Sequence, residues 1–214
     1  IVKPASSTSF LTATVAKEII NSGILPEGAL QLICGPARTM LDSVDERDVV
    51  TFTGSASTGL KLKSHPNLLA NAVRFNMEAD SLNSAVLGEY VAPGDPEFEL
   101  FIKEVRNEII VKAGQKCTAV RRVFVPRSQV DNVQEALVRA LSKAVMGDPQ
   151  QEGVRMGALV NKGQKEEVLE KIDLLTTEAQ SIYNHPMALV GKETVEDAFL
   201  GPQLLRNDTP AEAT

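Results

Sequence analysis

The stretch "RDVVTFTGSASTGLKLKSH", residues 47–65, changes character halfway along. Val49 to Thr53 is a run of β-branched and aromatic residues, the composition of a strand. It ends at Gly54, and the hydroxyl of Ser55 then opens a segment that reads as a helix. A strand that passes through a glycine straight into a helix is half of a βαβ unit, so the alternation on either side decides the fold.

That alternation is present. Upstream, "IVKP" reads as a strand end, since proline stops a β-ladder and extends the residue before it. "SSTSFLTATVAKEIINSG" places Phe10, Val15, Ile19 and Ile20 on one face of a helix closed by Gly23, and "ALQLIC" (29–34) is a short strand. Downstream, "NAVRFNME" (71–78) and "SAVLGE" (84–89) read as strands. "PEFELFIKEVRNEIIVKAG" is a long helix, with Phe98, Phe101, Ile102, Val105 and Ile109 near a 3.6-residue spacing. "RRVFVP" is a strand, and "SQVDNVQEALVRALSKAV" and "NKGQKEEVLEKIDLLTTEA" are helices. The fold class is α/β with a mostly parallel sheet, and the composition breaks most visibly near residues 79–83.

Three places carry chemistry. In "FTGSASTG" (52–59) the strand-to-helix turn aims backbone N–H groups and a positive helix end outward, which suits a phosphate; the plainer reading is an ordinary capped turn. It is neither the G-x-G-x-x-G fingerprint nor a P-loop. In "NMEAD" (76–80), Glu78 ends a strand, where α/β sheets present functional groups; it is either a general base or a solvated acid. In "KAGQKCTAVRR" (112–122), Cys117 follows a glycine just past a long helix, among Lys112, Lys116, Arg121 and Arg122. Positive surroundings favour the nucleophilic thiolate; the other reading is a small apolar filler. Cys34, in "QLICG", reads as such a filler. His65 and His185, each beside a proline, read as surface residues without triad partners.

Composition narrows the rest. The chain has 214 residues, 28 acidic and 22 basic, for a net charge of −6, with no tryptophan and two tyrosines. That leaves neither a basic field nor a stacking platform for nucleic acid. Two cysteines 83 positions apart make no disulfide framework or metal site, which suggests a reduced, cytoplasmic setting. No apolar run approaches the roughly 18 residues of a membrane span.

Taken in order, "KPAS", "FTGSASTG", "MEAD" and "GQKC", followed by "GDP" and "MGALV", resemble the NAD(P)-dependent aldehyde dehydrogenase superfamily along essentially the whole chain. The resemblance implies part of a Rossmann-like cofactor domain over residues 1–80 and part of an α/β catalytic domain over 81–214. It makes Cys117 the nucleophile that forms a thiohemiacetal and then a thioester, and its N–H an oxyanion donor. Glu78 becomes the base that activates water. Lys3 would hold the adenosine ribose, and Gly54, Ser55 and Gly59 belong to the turn that takes the pyrophosphate. Ser6 stands where many NAD-preferring members have a glutamate against the 2′-hydroxyl. A serine does not repel a 2′-phosphate, so the expected cofactor is NADP, with NAD as the alternative.

The strings "FNMEADSLN", "KAGQKCTAVRRVFVP" and "QEGVRMGALV" are similar to a narrower group, the dehydrogenase domains of bifunctional ring-opening enzymes in phenylacetate catabolism, and imply a CoA-linked semialdehyde as substrate. One departure stands out: the family's "E-L-G-G-K" is here "EADSL", with Asp80 and Ser81 in place of the glycines. The family's oxyanion asparagine would precede residue 1, and its nicotinamide-ribose glutamate would follow Thr214. The chain alone is therefore expected to have little dehydrogenase activity, and the full-length protein to be a homo-oligomer. Two alternatives stay open: a CoA-acylating dehydrogenase, in which CoA rather than water releases the thioester, and a non-catalytic domain that keeps the fold.

Overall fold

The computed structural model describes residues 1–36, 39–191 and 196–209 (of Glu196 only the backbone), so residues 210–214 of the polar C-terminal stretch lie outside it. The chain divides into two compact units, Ile1–Asp80 and Ser81–Thr214.

The first unit is built on one βαβ turn. Strand β1 (Val49–Gly54) and strand β2 (Arg74–Ala79) pair in parallel, Val49 opposite Arg74 and Gly54 opposite Ala79. Helix α2 (Ala56–Lys63) and the short helix α3 (Pro66–Ala70) make the crossover. Pro66 occupies the first turn of α3, where its missing N–H costs nothing, and the Asn67 side chain donates to the carbonyls of Leu41 (2.8 Å) and Val44 (2.7 Å). Helix α1 (Ser9–Asn21) forms as its periodicity predicts, but only Ala16 is buried, and Phe10, Val15, Ile19 and Ile20 are exposed. "ALQLIC" contributes a single parallel bridge, Leu32 to Val2, in place of a strand. Cys34 lies past that bridge, where Gly35 turns the chain at φ +104°, and it is exposed, contrary to its reading as a buried filler.

The second unit holds three further pairs. Strand β3 (Asn83–Val86) runs parallel to β4 (Val120–Phe124) through helix α4 (Pro96–Ile110). Helix α5 (Val130–Leu141) packs on α4, and helix α6 is Lys162–Leu175. Strands β5 (Met146–Gly147) and β7 (Leu189–Val190) are parallel, while β6 (Gln180–Asn184) and β8 (Gln203–Arg206) form an antiparallel ribbon that the sequence pattern does not announce.

The core of this unit follows from the stripes on α4 and α5. Phe98, Ile102 and Val105 meet Leu87, Val133 and Leu137, all buried. Each such side chain contributes about 1.5–3 kcal/mol through its burial. A second cluster gathers Ile110, Leu141, Ala144, Met146, Met156 and Phe199. The backbone at Gly147 passes so close to β7 that an added Cβ would lie 2.0 Å from the Val190 carbonyl, so only glycine fits. His185 is buried beside this region, contrary to its reading as a surface residue: its N–H donates to the Pro202 carbonyl (3.0 Å) and its Nδ1 meets the Tyr183 hydroxyl at 2.7 Å. His65 is half-buried and caps α3, its ring accepting from the Asn67 N–H. Among the described residues no helix is long and apolar enough to cross a membrane, and no group of three His, Cys, Asp or Glu side chains could hold a metal.

Candidate active site

In the first unit Gly54, Ser55 and Glu78 lie at the carboxyl ends of two parallel strands, where open α/β sheets present their ligands. Glu78 sits one residue before the end of β2, opposite Thr53, and is exposed. Ser55 is the N-cap of α2, and its hydroxyl accepts from the Thr58 N–H. The same hydroxyl lies 3.3 Å from that of Ser57 and 2.9 Å from that of Thr58, so three exposed hydroxyls cluster at the helix start. Gly54 leaves room for the Phe52 ring, whose tip would lie 2.6 Å from an added Cβ. Gly59 is buried one turn into α2, where a Cβ would meet the Met77 sulfur of β2 at 2.4 Å; in the structure its small size serves the packing of helix on strand.

Asp80 explains one departure from the family pattern. Its φ is +44°, a left-handed conformation that glycine adopts freely and Asp tolerates better than most side chains. The backbone path of a glycine is kept, and the added carboxylate is put to use: Oδ2 accepts from the Ala56 N–H at 2.9 Å. An anionic side chain thus already caps the first N–H of α2, which the sequence pattern alone had not suggested. Lys3 and Ser6 are both exposed; the Lys3 ammonium donates to the Pro4 carbonyl (2.9 Å), and Ser6 begins the short 3-10 turn ahead of α1.

In the second unit the thiol sits on a turn held by backbone hydrogen bonds from Gln115 to Lys112 and from Lys116 to Gly114 (3.0 Å each) and by several side chains. After α4, Lys112 (φ +53°), Ala113 (φ +52°) and Gly114 (φ +69°) are successively left-handed. Two of them are not glycine, and each such residue costs about 1–2 kcal/mol. The Gly114 carbonyl accepts from Arg121 Nη2 at 2.7 Å. The Gln115 side chain accepts from the Val160 N–H (2.9 Å) and donates to the Lys112 carbonyl (2.9 Å). Lys116 pairs with Glu108 of α4 at 2.8 Å, both about three-quarters buried, and the second oxygen of Glu108 has no partner among the described residues.

Cys117 follows, exposed. Its carbonyl accepts from the Ser81 hydroxyl and from Asn83 Nδ2 (2.6 Å). The N–H groups of Cys117 and Thr118 have no hydrogen-bond acceptor among the described residues. Of the four cations expected to make the segment electropositive, Lys116 is neutralised by Glu108, and Arg121 and Arg122 are turned to the carbonyls of Gly114 and Leu82. The arrangement leaves a free thiol and two free donors on a braced turn. Asn83 and Glu108 were not singled out by motif reading, and Ser81 was marked only as the replacement of a family glycine.

The family model for aldehyde dehydrogenases matches residues 1–213, and the chain belongs to the aldehyde dehydrogenase family. It is 42% identical, over 96% of its length, to 3,4-dehydroadipyl-CoA semialdehyde dehydrogenase of Aromatoleum evansii, of which it covers 40%. It is 28% identical, over 92% of its length, to alpha-ketoglutaric semialdehyde dehydrogenase of Bacillus subtilis, of which it covers 38%. The chain thus spans about two fifths of the length of these relatives.

Solved structures agree on the fold. Gamma-glutamyl-gamma-aminobutyraldehyde dehydrogenase of Burkholderia cenocepacia superposes with a TM-score of 0.80 at 24% identity, covering 98% of this chain and 41% of its own. Betaine aldehyde dehydrogenase of Staphylococcus aureus, solved with NAD+, gives 0.80 at 23%, covering 95% and 39%.

Proposed function

We propose that the protein oxidises an aldehyde to a carboxylic acid, with Cys117 carrying the acyl group and Glu78 activating the water that releases it. The observation that supports this most is the exposed Cys117 thiol on its braced turn, beside two uncommitted backbone N–H groups. Sγ, as thiolate, bonds to the aldehyde carbon, and the oxyanion that forms is met by those donors, which add most where charge develops. When bound, the nicotinamide cofactor supplies the hydride acceptor. The thioester left on Cys117 is then opened by water: Glu78 takes its proton, the oxygen adds to the acyl carbon, and the thiolate leaves.

The substrate reading is a CoA thioester of a short unsaturated dicarboxylic semialdehyde, such as those of phenylacetate degradation. The relative at 42% identity supports it, since its name specifies such a compound. The cofactor reading is NADP, supported by Ser6 and Lys3, which leave no carboxylate against a 2′-phosphate and place a cation nearby. The turn before α2 fits the pyrophosphate through the hydroxyls of Ser55 and Ser57, provided that the Asp80 carboxylate gives way at the Ala56 N–H.

Glu78→Gln separates water from CoA as the acyl acceptor. In the full-length protein this variant should form one equivalent of NADPH rapidly and then release acid about 10²–10⁴-fold more slowly than wild type. Unchanged acid production would remove Glu78 from the base role, and an acyl-CoA product at the aldehyde carbon would favour the CoA-acylating reading.

A further inference from the structure

We infer that Ser81 and Asn83 are positioning residues for the nucleophile, gripping the Cys117 carbonyl so that the thiol and its neighbouring N–H donors face one direction. The inference rests on the reading of Cys117 as the nucleophile.

The carbonyl belongs to the peptide that joins Cys117 to Thr118. A carbonyl oxygen offers two lone pairs, and here the Ser81 hydroxyl and Asn83 Nδ2 supply one donor each. Holding that oxygen fixes ψ of Cys117, which sets the direction of its Cα–Cβ bond relative to β4. Asn83 can do this because its own backbone is fixed: it is the first residue of β3 and pairs with Val120 at the start of β4. Its side chain also reaches the Ala119 carbonyl at 3.3 Å, so one amide spans the step from thiol to strand.

Upstream of Cys117 the turn is braced separately, by Arg121 on the Gly114 carbonyl and by Gln115 on Val160. Every brace takes a carbonyl, or holds a residue away from the thiol. None takes the N–H of Cys117 or of Thr118. The turn is therefore fixed without using the N–H of Cys117 or of Thr118, although those of Gln115 and Lys116 are spent on the Lys112 and Gly114 carbonyls (3.0 Å each), and two free donors beside the thiol are what stabilisation of a developing oxyanion requires. Ser81 stands where the related pattern has a glycine, which has no side-chain donor, so this hydroxyl is a feature of this chain beyond the shared pattern.

The test compares two reactions of the same thiol in the full-length protein. With p-nitrophenyl acetate, Sγ bonds to the ester carbon through an oxyanion, the C–O bond breaks, and nitrophenolate leaves with the electron pair. With iodoacetamide, Sγ displaces iodide in one step and no oxyanion forms. Ser81→Ala and Ser81→Gly should slow the nitrophenolate burst roughly 10-fold, and Ser81→Ala with Asn83→Ala about 10²-fold. Alkylation of Cys117, followed by peptide mass spectrometry with Cys34 as reference, should change less than about 3-fold, since it needs no aligned donors. Ser81→Thr should restore the burst.

Burst and alkylation falling together, with a lowered melting temperature, would show a merely structural role and overturn the inference. An unchanged burst in the double variant would overturn it too. If the burst survives Cys117→Ala, the nucleophile reading itself fails and takes this inference with it.

Discussion

The turn before α2 and the turn before β4 are both short, polar and marked by glycine, yet they are built in opposite ways. At Gly54–Thr58 the backbone is regular and its donors are used internally: the Ser55 hydroxyl takes the Thr58 N–H and the Asp80 carboxylate takes the Ala56 N–H. At Lys112–Thr118 the backbone is left-handed at three successive residues, side chains add donors to the carbonyls of Lys112, Gly114 and Cys117, and the N–H groups of Cys117 and Thr118 have no acceptor among the described residues. The first is a helix start whose leading N–H is taken by the chain's own carboxylate. The second stores strain and leaves binding capacity unspent, the pattern expected of a reactive site.

The bracing of the second turn should be the more fragile. Lys116→Met leaves Glu108 without its cation in a largely buried place, where one oxygen already lacks a partner. A loss of about 1–3 kcal/mol is expected, seen as a lower denaturation midpoint. A midpoint equal to wild type would mean that solvent already carries the Glu108 charge and that the turn is braced less tightly than described. Asp80→Asn tests the first turn with a smaller effect. Losing a carboxylate at a helix start costs about 0.3–1 kcal/mol. NADPH should bind severalfold more tightly, because no resident anion then competes at the Ala56 N–H. Weaker binding would show that Asp80 assists the cofactor.

Acid titration separates the two units with the smallest effect. Burial pushes the His185 imidazole below its ordinary value, partly offset by the Leu141 carbonyl. The unfolded chain therefore takes up a proton that the folded one resists, and the second unit should lose stability as pH falls through about 6.5. In the first unit, hydrogen bonds from Arg47 hold the half-buried Asp45 carboxyl at about 2, below its ordinary 3.8, so its contribution is lost only as pH falls below that ordinary value. His185→Gln should abolish the earlier loss and leave the later one, as followed by melting temperature against pH.

Much of this was legible beforehand, and the limits are physical. The 3.6-residue stripe of Phe98, Ile102 and Val105 predicted α4 and its buried face, and the change of period at Gly54 predicted β1 and α2. The antiparallel ribbon of β6 and β8 was not legible, because Gln180–Asn184 and Gln203–Arg206 are short, lack clean alternation and lie far apart in the chain. Amphipathicity in α1 predicted the helix but not its burial, which depends on what covers it. At the site, local position left Glu78, Ser55 and Cys117 open between a functional and a plain reading, and only the family resemblance gave them roles; they lie at a strand end, a helix cap and an exposed turn. The grip of Ser81 and Asn83 on the Cys117 carbonyl links residues 34 and 36 positions apart, and only the paired strands β3 and β4 bring them together.

The central claim is that Cys117 carries the acyl group. Full-length Glu78→Gln protein, mixed with NADP and a CoA-linked semialdehyde, quenched in acid within the first turnover and digested, tests it by mass spectrometry. The account predicts the acyl mass on the peptide that contains Cys117, with Cys34 unmodified. NADPH formation with no acyl mass on Cys117, or with that mass on Cys34, would contradict it.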